Sequence, residues 1–277
     1  AGYFVAPVVI EVTGIADIPR EIFGPVLHVA RFKAKDLNKV LDAVNARGFG
    51  LTFGLHTRID NRVQEVVEAM RVGNLYVNRN QIGAVVGSQP FGGENLSGTG
   101  PKAGGPDYVA RLAAPVAAPS VEPEARGAAD LKALEARLAQ PVSQEPVGTV
   151  DMPGPTGESN RLSLHARAPV LCMGPGAVAE AEQAAAIRAA GGVAIEAGGT
   201  VPAEWLTQAQ GFSGVLWWGD ATQARAYVQA LAQRQGAILP LIASRPDRAH
   251  ALTERHLCID TTASGGNAQL LVAASSA

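Results

Sequence analysis

The stretch FGGENLSGTGPKAGGP, residues 91–106, holds six glycines in sixteen positions, with Ser97, Thr99 and Lys102 the only hydroxyl or amine groups among them. Chemistry in such a run belongs to the backbone, since glycines let successive N–H groups approach an anion with no Cβ in the way. A run of tight turns reads equally well from these residues alone. The two thiols, Cys172 and Cys258, are far apart and have no second cysteine or histidine at metal spacing. That argues against zinc and against a disulfide, and for reduced, buried thiols. His250 and His256 lie six apart, not the four that place two ligands on one helical face. A further pattern is Gly174-x-Gly176-x-x-Ala179 after an apolar run, with Glu196 22 residues beyond Gly174. This is the spacing of a dinucleotide fingerprint, although Pro175 also suits an ordinary strand-to-helix turn.

The elements that position these residues follow from periodicity. Apolar runs predict strands over Phe4–Val12, Val26–Phe32, Leu51–His56 and Asn74–Val77. Helices are expected over Asp36–Arg47 and Asp60–Val72. In the first, Leu37, Val40, Leu41 and Val44 form one stripe, and Asp36 and Asp60 stand where N-cap oxygens bind orphan amides. Seven prolines between 115 and 155 mark 113–160 as a connection, with one helix over Ala125–Ala139. From 161 alternation resumes, with strands at Pro169–Met173, Gly192–Ile195, Val215–Trp218 and Ile238–Ala243, and helices at Ala179–Ala190 and Ala221–Gln235. This predicts an α/β chain whose last part, 161–277, is a small, mostly parallel, Rossmann-like domain, with a hairpin or β-flap in the tail HLCIDTTASGGNAQLLVA.

Length and composition fit two modest domains: 277 residues, 47% apolar, 17% charged. A net charge of -2 without any Lys/Arg cluster argues against a nucleic-acid partner. The longest apolar runs are too short for a membrane segment, so a cytoplasmic location is expected. The chain opens with Ala1 directly into YFVAPVVIEV, which reads as the middle of a domain and suggests a piece of a longer protein.

Four segments taken together, REIFGPVLHV (20–29), GLTFGLHTR (50–58), VGNLYVNRN (72–80) and PFGGENLSGTGPKAGGPDYV (90–109), resemble the C-terminal half of the aldehyde dehydrogenase catalytic domain. The resemblance covers residues 1–112. GTGPKAGGP looks like the aldehyde-anchor loop of the glutamate-semialdehyde dehydrogenases. NRNQIGAVVGSQPFGG, GPTGESNRLSLH (154–165) and RHLCIDTTASGGNAQLL (255–271) resemble the long-form proline utilization A family. Those proteins oxidise proline with FAD and then the semialdehyde with NAD. The resemblance implies that Gly104 and Gly105 supply amides to the carboxylate of glutamate semialdehyde and that Phe91 walls the aldehyde pocket. It also implies that Glu21 binds the nicotinamide ribose hydroxyls while Phe23 packs on the nicotinamide. A carboxylate suits a vicinal diol because it accepts two hydrogen bonds at once.

Aldehyde oxidation in this family needs a cysteine thiolate, a carboxylate base and bound NAD. The resemblance places the cysteine loop and cofactor domain ahead of residue 1, so no catalytic residue is assigned and the chain alone is expected to be inactive. The second domain looks like a degenerate, non-catalytic relative of the cofactor domain. Its phosphate turn reads Gly219-Asp220-Ala221, where the aspartate would repel pyrophosphate, and its base position reads Ser244. Its terminal flap would pair with a catalytic domain and help seal a cavity for the semialdehyde. The expected partners are therefore glutamate semialdehyde and the remainder of the polypeptide or a homologous half. Two other readings stay open: a stand-alone scaffold pairing with a separate dehydrogenase half, and a dinucleotide-binding regulator using Gly174, Gly176 and Glu196.

Overall fold

The structure, a computed structural model, describes residues 2–119, 121 and 124–262. It begins with a two-stranded parallel ribbon of β1 (Val8–Glu11) and β2 (Val26–Val29), in register from Val8↔Val26 to Glu11↔Val29. Residues 4–7 do not join β1. The ribbon is largely exposed, Val9 at 70% and Leu27 at 58%.

Helix α1 (Leu37–Ala46), the short β3 (Phe49–Gly50), β4 (Thr52–Leu55), α2 (Asp60–Ala69) and β5 (Asn74–Val77) follow. The predicted stripe is real. Leu41 is buried, and Leu37 and Val44 pack with it against Val63 and Val66 of α2. The two expected aspartate caps are not made. The Asp36 carboxylate takes the Lys39 ammonium at 2.9 Å instead of an amide. Asp60 is already helical, behind an Ile59 cap whose N–H goes to the Thr57 hydroxyl.

Next come β6 (Glu94–Asn95), paired with β3, and the one-turn α3 (Tyr108–Arg111). The proline-rich segment is more ordered than its composition implies. It holds α4 (Leu131–Leu138), β7 (Pro146–Met152) and the start of β8 (Glu158–Ala166). The helix begins at 131 rather than 125 because Asp130 caps it, accepting the Ala133 N–H at 3.0 Å, while Ala128 is held extended by a bridge to Thr200.

The rest of the chain adds β9 (Val170–Cys172), α5 (Gly176–Ala189), β10 (Ala194–Glu196), β11 (Gly214–Leu216), α6 (Ala221–Ala232), β12 (Leu241–Ile242), α7 (Arg248–Ala251) and β13 (Leu252–Asp260). Four of these strands form an all-parallel sheet in the order β10-β9-β11-β12. Leu171, Val215, Leu206 and Tyr227 are buried on one side of it, and Cys172, Leu216, Ala184 and Ile187 on the other.

A second sheet, ordered β4-β5-β13-β8-β7, joins distant parts of the chain. β13 lies parallel to β5, from His256↔Asn74 to Ile259↔Val77, and antiparallel to β8 along its whole length. An alternating strand far along the chain thus completes the edge left open by β5. Its Leu257 and Ile259 join the core under α2, while Glu254, His256 and Cys258 face the opposite side, as period-two geometry requires. The expected flap continues past this strand into 263–277, outside the described residues.

Candidate functional site

The glycine-rich loop is laid across the polar face of the five-stranded sheet. Phe91 and Ala103 form a two-bond antiparallel bridge, at 3.0 and 2.8 Å, which draws Phe91 beside Gly104 and Gly105. Asn74 of β5 clamps one limb, donating to the Pro90 carbonyl at 2.9 Å and accepting the Gly92 N–H at 3.2 Å. Lys102 is 2% exposed, and its ammonium donates to Asn74 Oδ1 at 2.8 Å and to the Gly92 carbonyl. Burial pushes this amine down to about 7, against the attraction of Glu254 and Glu94.

Gly104 is exposed at φ +72°, with nothing within 4 Å of where a Cβ would stand. Left-handed backbone of this kind favours glycine. Gly105 differs, because its N–H already donates to the Lys102 carbonyl at 3.0 Å. The two amides implied by the resemblance are therefore not an equivalent pair here. Gly104 is the exposed residue of the two, and Gly105 closes the turn next to it.

Beneath the loop lies a buried polar row. Glu94 meets Arg255 at two points, 3.1 and 3.2 Å. Arg79 donates to Glu158 at 2.9 Å and to Cys258 Sγ at 3.2 Å, and Gln89 donates to Glu158 at 2.9 Å. His256 is 1% exposed, and among the described residues neither ring nitrogen makes a well-formed hydrogen bond. Burial first, then Lys102 and Arg79, push it down to about 4, opposed only by the Ser88 backbone. It is thus neutral at pH 7.

Glu21 and Phe23 sit on the exposed segment entering β2, Phe23 at 84%, and β2 belongs to a sheet separate from the one under the glycine loop. The structure brings Phe91, Gly104 and Gly105 together and leaves Glu21 and Phe23 on the irregular segment ahead of the ribbon. Neither cysteine is equipped to attack a carbonyl. Both are wholly buried, and burial raises Cys172 to about 12 and Cys258 to about 11. Among the described residues no His, Cys, Asp and Glu cluster could hold a metal, and no helix is long and apolar enough to cross a membrane.

The dinucleotide fingerprint is a strand-to-helix turn filled by the chain itself. The Glu124 carboxylate accepts the Ala177 N–H at 2.9 Å, at the helix N-terminus where a phosphate would bind, and an added Cβ on Gly176 would strike it. Gln183 closes the turn through both its amide atoms on Gly174, and Glu196 pairs with Arg188 at 3.4 Å. At the next turn Asp220 caps α6, taking the Thr222 and Gln223 amides at 2.9 Å. Anions of the chain hold both N-termini, so the regulator reading built on Gly174, Gly176 and Glu196 loses its phosphate position.

Sequence reasoning gave no role to Asn74 and Glu254, named Lys102 only as the loop's amine, and weighed His256 only as a metal ligand. The only local trace was alternation around 254–258; Lys102 and Glu254 are 152 positions apart.

Residues 1–114 match the model of the aldehyde dehydrogenase family. The bifunctional protein PutA of Escherichia coli K12 is 38% identical over 98% of this chain and 24% of its own length. A 1-pyrroline-5-carboxylate dehydrogenase of Bacillus cereus is 47% identical over 113 residues, 39% of this chain and 21% of the relative. The solved structure of proline utilization A from Corynebacterium freiburgense superposes with a TM-score of 0.55 at 25% identity, over 86% of this chain and 25% of that one. The chain spans about a quarter of the length of the PutA proteins it matches. Residues 1–114 thus match the aldehyde dehydrogenase family, within a chain that is similar over 98% of its length to part of the bifunctional PutA proteins.

Proposed function

We propose that this chain is the carboxylate-anchoring part of an NAD-dependent L-glutamate-γ-semialdehyde dehydrogenase, within a bifunctional protein whose other enzyme oxidises proline with FAD. The observation that carries this reading is the fold of the glycine loop. The Phe91–Ala103 backbone bridge sets Phe91 across from the residue that precedes an exposed glycine turn at Gly104. The loop would bind the substrate's carboxylate through backbone N–H groups, each charge-assisted bond contributing roughly 1.5–3 kcal/mol. Phe91 would close the apolar side.

Glu21 and Phe23 fit a nicotinamide nucleotide in chemistry and exposure: a carboxylate for a ribose diol, and two residues on, an aromatic ring open to stacking. NAD, when bound, supplies the hydride acceptor. The attacking thiolate must come from residues other than Cys172 and Cys258, so the isolated chain is expected to be inactive. We read the parallel sheet as a degenerate relative of the cofactor domain, with Glu124 and Asp220 at its phosphate turns.

The scaffold reading draws its support from β13 beside β5, since a strand that completes a sheet edge can serve assembly without chemistry. NADH formation from glutamate semialdehyde separates the two readings. The chain alone should be silent, and the chain mixed with the cysteine-bearing remainder of a close relative should be active. Turnover by the chain alone would overturn the proposal, and silence in the mixture would favour the scaffold.

A further inference from the structure

The region after residue 160 contributes no nucleophile and its dinucleotide-like turn is filled, yet it holds the glycine loop directly. Glu254 of β13 is 7% exposed and accepts the backbone N–H of Lys102 at 2.6 Å. The carbonyl of that same residue accepts the Gly105 N–H at 3.0 Å. Glu254 therefore holds the N–H side of the Lys102 backbone while the carbonyl side of the same residue holds the Gly105 turn. The second carboxylate oxygen lies against the turn: a Cβ on Gly105 would come within 3.0 Å of Glu254 Oε1. Arg167 supports the same loop upstream, donating to the Thr99 carbonyl at 2.9 Å, and Arg248 pairs with Asp107 downstream.

We infer that Glu254 is a positioning residue for the carboxylate-binding loop, fixing the Lys102 peptide so that the Gly104–Gly105 turn presents its amide outward. This rests on the carboxylate-anchor reading above and adds to it a dependence of substrate binding on the non-catalytic region. A charge-assisted bond from a backbone N–H to a fixed carboxylate is stronger than a neutral one and sets direction as well as distance. Without it the loop keeps the Lys102 ammonium and the Phe91–Ala103 bridge but loses its restraint next to the glycines.

The test uses the 277-residue chain, with amide hydrogen exchange over 99–106 and affinity for glutarate, a dicarboxylate probe, as readouts. In Glu254→Ala, exchange in the loop should quicken by about tenfold or more while α5 amides keep their rates, and glutarate should bind about fivefold more weakly. Glu254→Gln retains an acceptor oxygen and should recover most of both losses. It also decides the matter if the alanine variant does not fold, by a loop-confined rise of about threefold. Wild-type exchange in the loop of a folded Glu254→Ala, or a glutamine variant no better than alanine, would overturn the inference. If exchange responds as expected but wild-type chain does not bind glutarate, the positioning of the loop stands and the carboxylate-anchor reading falls.

Discussion

Acidification should destabilise this chain through one buried imidazole. His256 lies on the polar side of β13, opposite Asn74 and next to Cys258 and Tyr76 across the pair. Its ring is wholly enclosed, with no well-formed hydrogen bond at either nitrogen among the described residues. Unfolded, the group binds a proton near 6.5; folded, burial and the Lys102 and Arg79 charges hold it down to about 4. Between those values the unfolded chain takes up a proton that the folded chain refuses, so this group's stability is fully present above about 6.5 and is lost as pH falls toward 4. At 1.36 kcal/mol for each tenfold change in proton affinity, the loss comes to about 3 kcal/mol, a large share of a domain's usual 5–15 kcal/mol. Urea unfolding at intervals from pH 7.5 to 4, on wild type and His256→Leu, measures it. Leucine keeps the burial and removes the titration, so the variant should lose about 3 kcal/mol less than wild type over that range. Equal losses in the two proteins would refute the reasoning, because the acid sensitivity would then belong to other groups such as His165, which burial also pushes down.

Three further outcomes are expected. Glu94→Ala leaves the Arg255 guanidinium enclosed without its two-point partner, and should cost about 3–5 kcal/mol in urea unfolding at pH 7. Gly73→Ala would place a Cβ on the Gly92 carbonyl oxygen, where β5 begins under the loop, and should cost about 3 kcal/mol, read as a lowered thermal midpoint. Glu124→Ala strips α5 of the carboxylate on its Ala177 amide and should lose about 1 kcal/mol by the same measurement, without affecting loop exchange at 99–106.

Much of the local structure could be read from residue order. The Leu37, Val40, Leu41, Val44 stripe foretold α1, and alternating apolar runs and helices foretold the parallel β9–β12 sheet. The glycine loop and its link to Phe91 were legible because glycine density and the four family-like segments lie close together in sequence. Caps were less legible, since an aspartate's neighbours decide what its oxygens bind: Asp36 took Lys39, whereas Asp130 and Asp220 took amides. β7 escaped notice because prolines at 141, 153 and 155 surround it and Pro146 opens it, a position that an edge strand tolerates.

What the sequence determined by itself is therefore short in range: helix stripes, strand alternation, turn glycines and a family likeness over the first part of the chain, which the family model matches at residues 1–114. Only the tertiary structure decided that β13 would lie beside β5, that Glu254 would grip the Lys102 peptide, and that Glu124 would fill the turn at Gly176. These are pairings between residues far apart in sequence, 152 positions for Glu254 and Lys102 and 182 for His256 and Asn74. Helix and strand periodicity reports which face of an element is buried but carries no record of which distant element covers it. That choice is made by packing and by the need of each buried polar group for a partner.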